Sequence, residues 1–550
     1  MMRTCGVMVS VFMLAVALLA QQAKPAQSRV KKTNPTPQAT QPESSPAAVP
    51  TPSAPPATPA KPGTAEGGKE SKELHYDVAE VSPVVTHQQA TINGRVLRYT
   101  ATAGRIPIKR ADGKIEAEMF FVAYTLEGEN AAQRPLTFAF NGGPGSASVW
   151  LHMGGLGPRR VVLQPQGFMP ASPYHLQDNQ HSLLDKSDLV LVDAIATGWS
   201  RAEDEATTKK FLGVQGDLDA FGEFIRLYIT RYGRWGSPLF LFGESYGTTR
   251  AAGLAGYLAE RGISFNGIVL LSTAMDFQTL EFQKNNDLPY ILIIPSYTMI
   301  AAYHHKLAPE LTQDLVKTRA EVEQWASTTY AQALAKGDAM SAQERQSVID
   351  QMARYTGLSK QVIDDANLRI DVAQFTHYLL IDQKLRVGRL DGRFTGPDPQ
   401  GLMDTPFYDP TESALMPPFT SMFNNYVRND LGYKTDMPYY VFALGEGLWR
   451  HWDWGSAVKG FPDTATALRE AMVKDPYLKV MVLEGYYDLA TPYYAADYVI
   501  NHLDLPPNFR KNISVETYDS GHMAYVNEQA LGKMKQDTVR FMDASMPATH

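Results

Sequence analysis

From about Leu74 onward, short continuous apolar runs alternate with stretches of helical spacing. Pro135-Leu-Thr-Phe-Ala-Phe140, Ser187-Asp-Leu-Val-Leu-Val-Asp193, Leu239 to Phe242, Gly267-Ile-Val-Leu-Leu271 and Leu478-Lys-Val-Met-Val-Leu-Glu484 are each strand-length and bounded by turn residues. Such runs suit strands covered on both faces. Between them, Gly216 to Tyr232 sets Leu218, Phe221, Phe224, Ile225 and Tyr228 at helical spacing, and Ala251 to Ala259 reads as a second helix. Upstream, Gln89 to Thr102 and Ile115 to Thr125 alternate apolar and polar residues, the pattern of antiparallel edge strands. A last core strand is expected at about Ile513 to Tyr518, and a closing helix to about Met542. The pattern predicts an α/β protein: a mostly parallel sheet with helices on both faces.

Two regions break this alternation. After Asp276 no comparably strong strand signal appears until Leu478, and residues 285–430 are helix-rich, with a polar, charge-patterned run from Thr312 to Asp364. A segment this long between core strands is too long for a loop. It predicts a helical cap insertion, placed at 281–440 between core parts at 71–280 and 441–550. At the other end, Arg3 followed by the apolar run Val7 to Ala20 reads as a signal peptide over 1–20, shorter than a membrane span. Residues 21–70 are rich in Pro, Ala, Thr, Ser and Gln with nothing aromatic to bury, and read as a disordered linker. The expected location is periplasmic or secreted, with no membrane span after signal removal.

Composition narrows the chemistry further. The 550 residues carry a formal net charge of −7, which argues against a nucleic-acid partner. The single cysteine, Cys5, precedes the apolar run, so thiolate metal sites and intrachain disulfides are excluded. No His-Glu-x-x-His occurs, and no Gly-Lys-Ser/Thr follows the glycine-rich Asn141-Gly-Gly-Pro-Gly145 to make it a phosphate loop. Neither a cofactor nor a metal is expected.

What remains points to nucleophilic catalysis. In Gly243-Glu-Ser-Tyr-Gly247 a buried strand runs into a helix through two glycines, the context that lifts a serine hydroxyl clear of a sheet beside the first helix amides. Asp488 and His522 follow later strands at glycine-marked loops, so Ser245, Asp488 and His522 stand in the chain order of an α/β-hydrolase fold. His522 would take the Ser245 proton and return it to the leaving group, while Asp488 orients the imidazole. Asp193 is a rival acid, and His304 and His305 are rival bases; Asp488 is preferred because its loop follows the penultimate core strand. The Gly143 and Tyr246 amides are the expected oxyanion hole.

Asn141-Gly-Gly-Pro-Gly, Gly243-Glu-Ser-Tyr-Gly, Gly485-Tyr-Tyr-Asp and Gly521-His-Met together resemble the serine carboxypeptidase family of α/β-hydrolases. The resemblance implies an enzyme that cleaves the C-terminal residue of a peptide, often best at acidic pH and often as a homodimer. It carries the triad onto Ser245, Asp488 and His522, and substrate binding onto Asn141, Gly142 and Glu244. In the family the Glu before the nucleophile, Glu244 here, shares a proton with a second carboxyl and, with the loop Asn, Asn141 here, grips the substrate's terminal carboxylate. Here the second position, before Leu-Gly-Pro, is Gly155. That departure leaves a serine esterase or acyltransferase as the alternative to a carboxypeptidase acting on peptides with a free C-terminus.

Overall fold

The computed structural model describes residues 75–398, 408–443, 451–455 and 460–546. The expected signal peptide and linker lie outside them. Nine strands form most of a ten-stranded sheet: β1 (Val84–Ile92), β2 (Arg95–Lys109), β3 (Ile115–Leu126), β4 (Leu136–Phe140), β5 (Asp188–Val192), β6 (Leu239–Glu244), β7 (Gly267–Leu271), β8 (Lys479–Gly485) and β9 (Ile513–Tyr518). Their order across the sheet is β1-β2-β3-β5-β4-β6-β7-β8-β9, and the two-residue strand Arg201–Ala202 pairs with β3. From β5 to β9 neighbouring strands are parallel; β1, β2 and β3 are antiparallel. The sheet is therefore mixed. The alternating stretch 89–102 is not one edge strand but the two arms of a hairpin turning at Asn93-Gly94, and β3 is interior.

The continuous apolar runs are explained by the faces they reach. Successive side chains of a strand point to opposite sides. Leu239 and Leu241 join one buried cluster while Phe240 and Phe242 join another, and Val480 and Val482 separate from Met481 and Leu483 in the same way. Helix α1 (Val214–Arg231) covers the first face through Leu218, Phe221, Phe224, Ile225 and Tyr228, packed with Ala251 and Leu254 of α2 (Tyr246–Ala259).

Between β7 and β8, helices including Leu288–Leu292, Ile294–Tyr303, Leu315–Trp325, Ala342–Thr356 and Val372–Tyr378 gather around a separate apolar cluster. Ile300, Tyr330, Met352 and Phe375 lie at its centre, and Tyr487 and Leu489 join it from the loop after β8. Helix α3 (Pro410–Asn429) does not share this cluster. Its Leu415, Phe419, Phe423 and Val427 pack on the second face of the sheet with Trp150, His152 and Tyr525. The helix α4 (Glu528–Ser545) closes the chain on that same face. Among the described residues, no helix is long and apolar enough to cross a membrane.

Candidate active site

The turn at Ser245 follows from its neighbours. β6 ends at Glu244, α2 begins at Tyr246, and Ser245 between them has φ 60° and ψ −130°. A side chain at Gly243 would crowd the Gly247 backbone, and one at Gly247 would come 2.7 Å from the Phe140 carbonyl oxygen. Both positions are closed to anything larger, so the left-handed strain falls on the serine. The Ser245 amide donates to Leu271 at 2.9 Å, which ties the strained residue to β7.

Asp488 and His522 come together as expected. His522 Nδ1 donates to Asp488 Oδ2 at 2.7 Å, which fixes the tautomer and leaves Nε2 for a hydroxyl proton. Among the described residues, the other partner of the imidazole is Thr491, whose hydroxyl lies 3.2 Å from Nδ1 and donates to Asp488 Oδ2 at 2.7 Å. The amides of Ala490 and Thr491 donate to Asp488 Oδ1 at 2.7 and 3.0 Å. Burial works against a charged imidazole, but the Asp488 carboxylate and its hydrogen bond outweigh it and hold His522 above its ordinary value. Ser245 and His522 line one cavity of about 370 Å³.

The loop that presents His522 depends on the inserted segment. Its amide donates to the Leu390 carbonyl at 2.7 Å, and the Gly521 amide donates to Asp391 Oδ2 at 3.1 Å. Arg393 and Asp391 form a buried pair, and Arg393 reaches the carbonyl of exposed Asp519 at 3.1 Å. From the sheet side, the Ser272 hydroxyl donates to the His522 carbonyl at 2.7 Å.

Opposite the triad, the Asn141-Gly-Gly-Pro-Gly145 loop leaves β4 and lies against the start of α2. A side chain at Gly142 would collide with the Tyr246 and Gly247 amides, and Gly143 has φ 106°. Tyr246 opens α2, so its N–H is one of the first-turn donors without an intrahelical acceptor. Gly143 and Tyr246 both line the cavity. Behind the loop, buried Arg250 donates to the Asn141 carbonyl at 2.8 Å and makes a two-pronged pair with Asp217 at 2.7 and 3.0 Å.

Asn141 and Glu244 are joined directly. Asn141 Oδ1 accepts from the Leu151 amide at 3.0 Å, which aims Nδ2 at Glu244 Oε2, 2.8 Å away. The Tyr525 hydroxyl donates to the same oxygen at 2.8 Å. Burial pushes the Glu244 carboxyl up to about 7; the neighbouring His522 and the two hydrogen bonds restrain the rise, and Asp488 adds to it. Gly155 supplies no side chain here: its Cα faces the Tyr525 ring, and an added Cβ would sit 3.2 Å from that ring.

The rival residues lie elsewhere. Asp193 accepts from the Ser148 amide at 2.8 Å and stands near Tyr439, away from His522. His304 Nε2 bonds the Gly392 carbonyl at 2.6 Å, and both His304 and His305 follow the end of the helix Ile294–Tyr303. Sequence reasoning did not single out Thr491, Arg250, Tyr525, or the charged Glu281, Arg389 and Glu412 that line the cavity. Tyr525 closes the Gly521-His-Met-Ala-Tyr525 stretch, and nothing local in the sequence marks its contact with Glu244. Among the described residues, no group of three or more His, Cys, Asp or Glu is placed to hold a metal ion.

A serine on a strained strand-to-helix turn, a buried acid–imidazole pair and a mixed sheet in this order define a serine hydrolase of the α/β-hydrolase type. The model of the serine carboxypeptidase family, peptidase family S10, matches residues 97–544. The chain belongs to that family. A prohormone-processing carboxypeptidase from Saccharomyces cerevisiae has a similar structure, at 15% identity over 81% of this chain and 91% of that one, with a TM-score of 0.51. A thermostable carboxyl esterase from Bacillus coagulans is 10% identical over 80% of this chain and 98% of that one, with a TM-score of 0.33. At such identities the likeness is one of fold. No curated protein sequence matches.

Proposed function

We propose that this protein is an exported serine carboxypeptidase that releases the last residue of a peptide through an acyl-enzyme on Ser245. The observation that carries this reading is the presence, around one cavity, of Ser245, the His522 imidazole and a buried, readily protonated Glu244 braced by Asn141. A protonated carboxyl donates a hydrogen bond to an anion, so Glu244 suits a substrate whose terminus is a free carboxylate.

In the mechanism this implies, Ser245 Oγ attacks the carbonyl carbon of the last peptide bond as His522 Nε2 takes its proton. The oxyanion is held by the Gly143 and Tyr246 amides. The imidazolium, oriented by Asp488, gives the proton to the leaving nitrogen, and the C-terminal amino acid departs from the Asn141–Glu244 end. Water then attacks the acyl-enzyme with His522 again as base, returning Ser245 to its hydroxyl.

Two protonation states limit the working range. His522 must be neutral and is held above its ordinary value, so kcat/KM falls on the acid side. Glu244 must be protonated and ionises near about 7, so recognition of the free acid falls on the alkaline side. The groups face one another, and the limbs belong to the pair. The profile for a free-acid peptide is therefore a narrow bell, and for its C-terminal amide it keeps the acid limb alone.

The test is turnover of N-blocked dipeptides against their amidated twins by residues 71–550, with Ser245→Ala alongside. Release of the last amino acid, faster from the acid than from the amide and lost in the variant, supports the reading. Equal turnover of acid and amide overturns it in favour of an esterase or acyltransferase.

A further inference from the structure

We propose that Tyr525 is the positioning residue that makes Glu244 a single-proton reader of the substrate carboxylate. This deepens the carboxypeptidase reading and rests on it. The phenol is fully buried on the short turn Ala524–Val526, three residues beyond His522, so one segment carries both the base and this donor. Its ring packs over Gly154 and Gly155: a side chain at Gly154 would clash with it, and one at Gly155 would press on it at 3.2 Å. Its hydroxyl and Asn141 Nδ2 both donate to Glu244 Oε2, each at 2.8 Å, which leaves Oε1 for the cavity.

The chemistry of the donor sets the behaviour of the acceptor. A second carboxyl at this place would share a proton with Glu244 and could itself ionise. A phenol buried beside a carboxylate keeps its proton throughout the working range; burial, and then Glu244 itself, holds Tyr525 well above the usual value. The ionisable groups that bear on Glu244 are His522 across the cavity, Asp488 behind it and Tyr525. Glu281 and Glu412 also line the cavity, each with its carboxyl raised by burial, but neither is among the groups that act on Glu244. Of Glu244, Asp488 and Tyr525, Glu244 is the one on the cavity wall, braced by Asn141 and Tyr525 to meet the substrate. The anion site thus has two states, donor and repeller, separated by one proton.

The experiment compares wild type with Tyr525→Phe, which keeps the ring over Gly154 and Gly155. Steady-state kcat and KM are measured from pH 5 to 9 on a blocked dipeptide acid and its amide. Losing the hydroxyl loosens the Glu244 carboxyl and removes a donor that favours its charged form. KM for the acid should rise about tenfold at pH 6, and the alkaline midpoint should move up by about one unit. The acid-to-amide ratio should fall with it.

An unchanged ratio and midpoint overturn the proposal, as does an equal loss on acid and amide, which marks a merely structural tyrosine. If Tyr525→Phe fails to fold, Glu244→Gln decides: with one titrating group, the alkaline limb for the acid disappears, and a limb that survives overturns the single-proton claim. A wild-type enzyme that does not distinguish acid from amide overturns the carboxypeptidase reading itself, and does so before any variant is made.

Discussion

The two buried carboxylates of this site are handled in opposite ways. Asp488 receives four donors spread over both oxygens: the imidazole, the Thr491 hydroxyl and two amides. Glu244 receives two, both on Oε2, one an amide nitrogen and one a phenol. The first arrangement leaves no oxygen for anything but orienting His522. The second leaves Oε1 open in a desolvated pocket where the acid is pushed up to about 7. On the proposed reading, donor count and placement, more than distance from the serine, separate a group that serves the base from one that meets the substrate.

The sharpest way to break this contrast is to disable the orienting side. Asp488→Asn should lower kcat by about 10⁴-fold, because the amide favours the wrong imidazole tautomer. The loss should be the same on acid and amide substrates, measured as kcat under saturation, since the carboxylate-reading side is untouched. A loss confined to the acid substrate would mean that the two carboxylates do not divide the work in this way.

A large effect on stability is expected where both sides share a foundation. Arg250 braces the Asn141 loop from within α2 and pairs with buried Asp217. Removing it with Arg250→Met strands a buried carboxylate, which costs about 3–5 kcal/mol. Urea unfolding should show a lower midpoint at unchanged slope. A variant as stable as wild type would show that the pair is dispensable.

Smaller still is the effect of Arg389, which lies at the cavity and whose positive charge disfavours the imidazolium of His522. Taking that charge away with Arg389→Ala lets His522 hold its proton to higher pH. The acid limb of kcat/KM should move up by a few tenths of a unit, about the scale of exposed charge pairs, and less in high salt. A downward shift would contradict the sign.

Much of the orienting side was legible in the sequence. The glycines around Ser245, the buried strand before it and the two late strand-end loops each have a local mechanical reason, and the structure brings Ser245, Asp488 and His522 to one edge of the sheet. The proposed carboxylate-reading side was only half legible. Asn141 and Glu244 are 103 residues apart and were paired by resemblance, whereas Tyr525 reaches Glu244 across 281 residues with nothing local to announce it. The same holds for Asp391, which fixes the Gly521 amide across 130 residues from within a segment that reads only as helix-rich. Helix α3 lies within the stretch read as one cap, yet its apolar face belongs to the sheet. Helical spacing shows that a face is buried but not what buries it.

The most direct test of the central claim is active-site labelling with a serine-reactive fluorophosphonate, mapped by mass spectrometry. It is run with and without protection by a peptide bearing a free C-terminus or its amide. The account predicts a single adduct on Ser245, slowed by the free acid at pH 6 more than by the amide, with the difference lost at pH 9. An adduct elsewhere, no adduct, or equal protection by acid and amide at both pH values would contradict a nucleophile and a protonated Glu244 sharing one cavity.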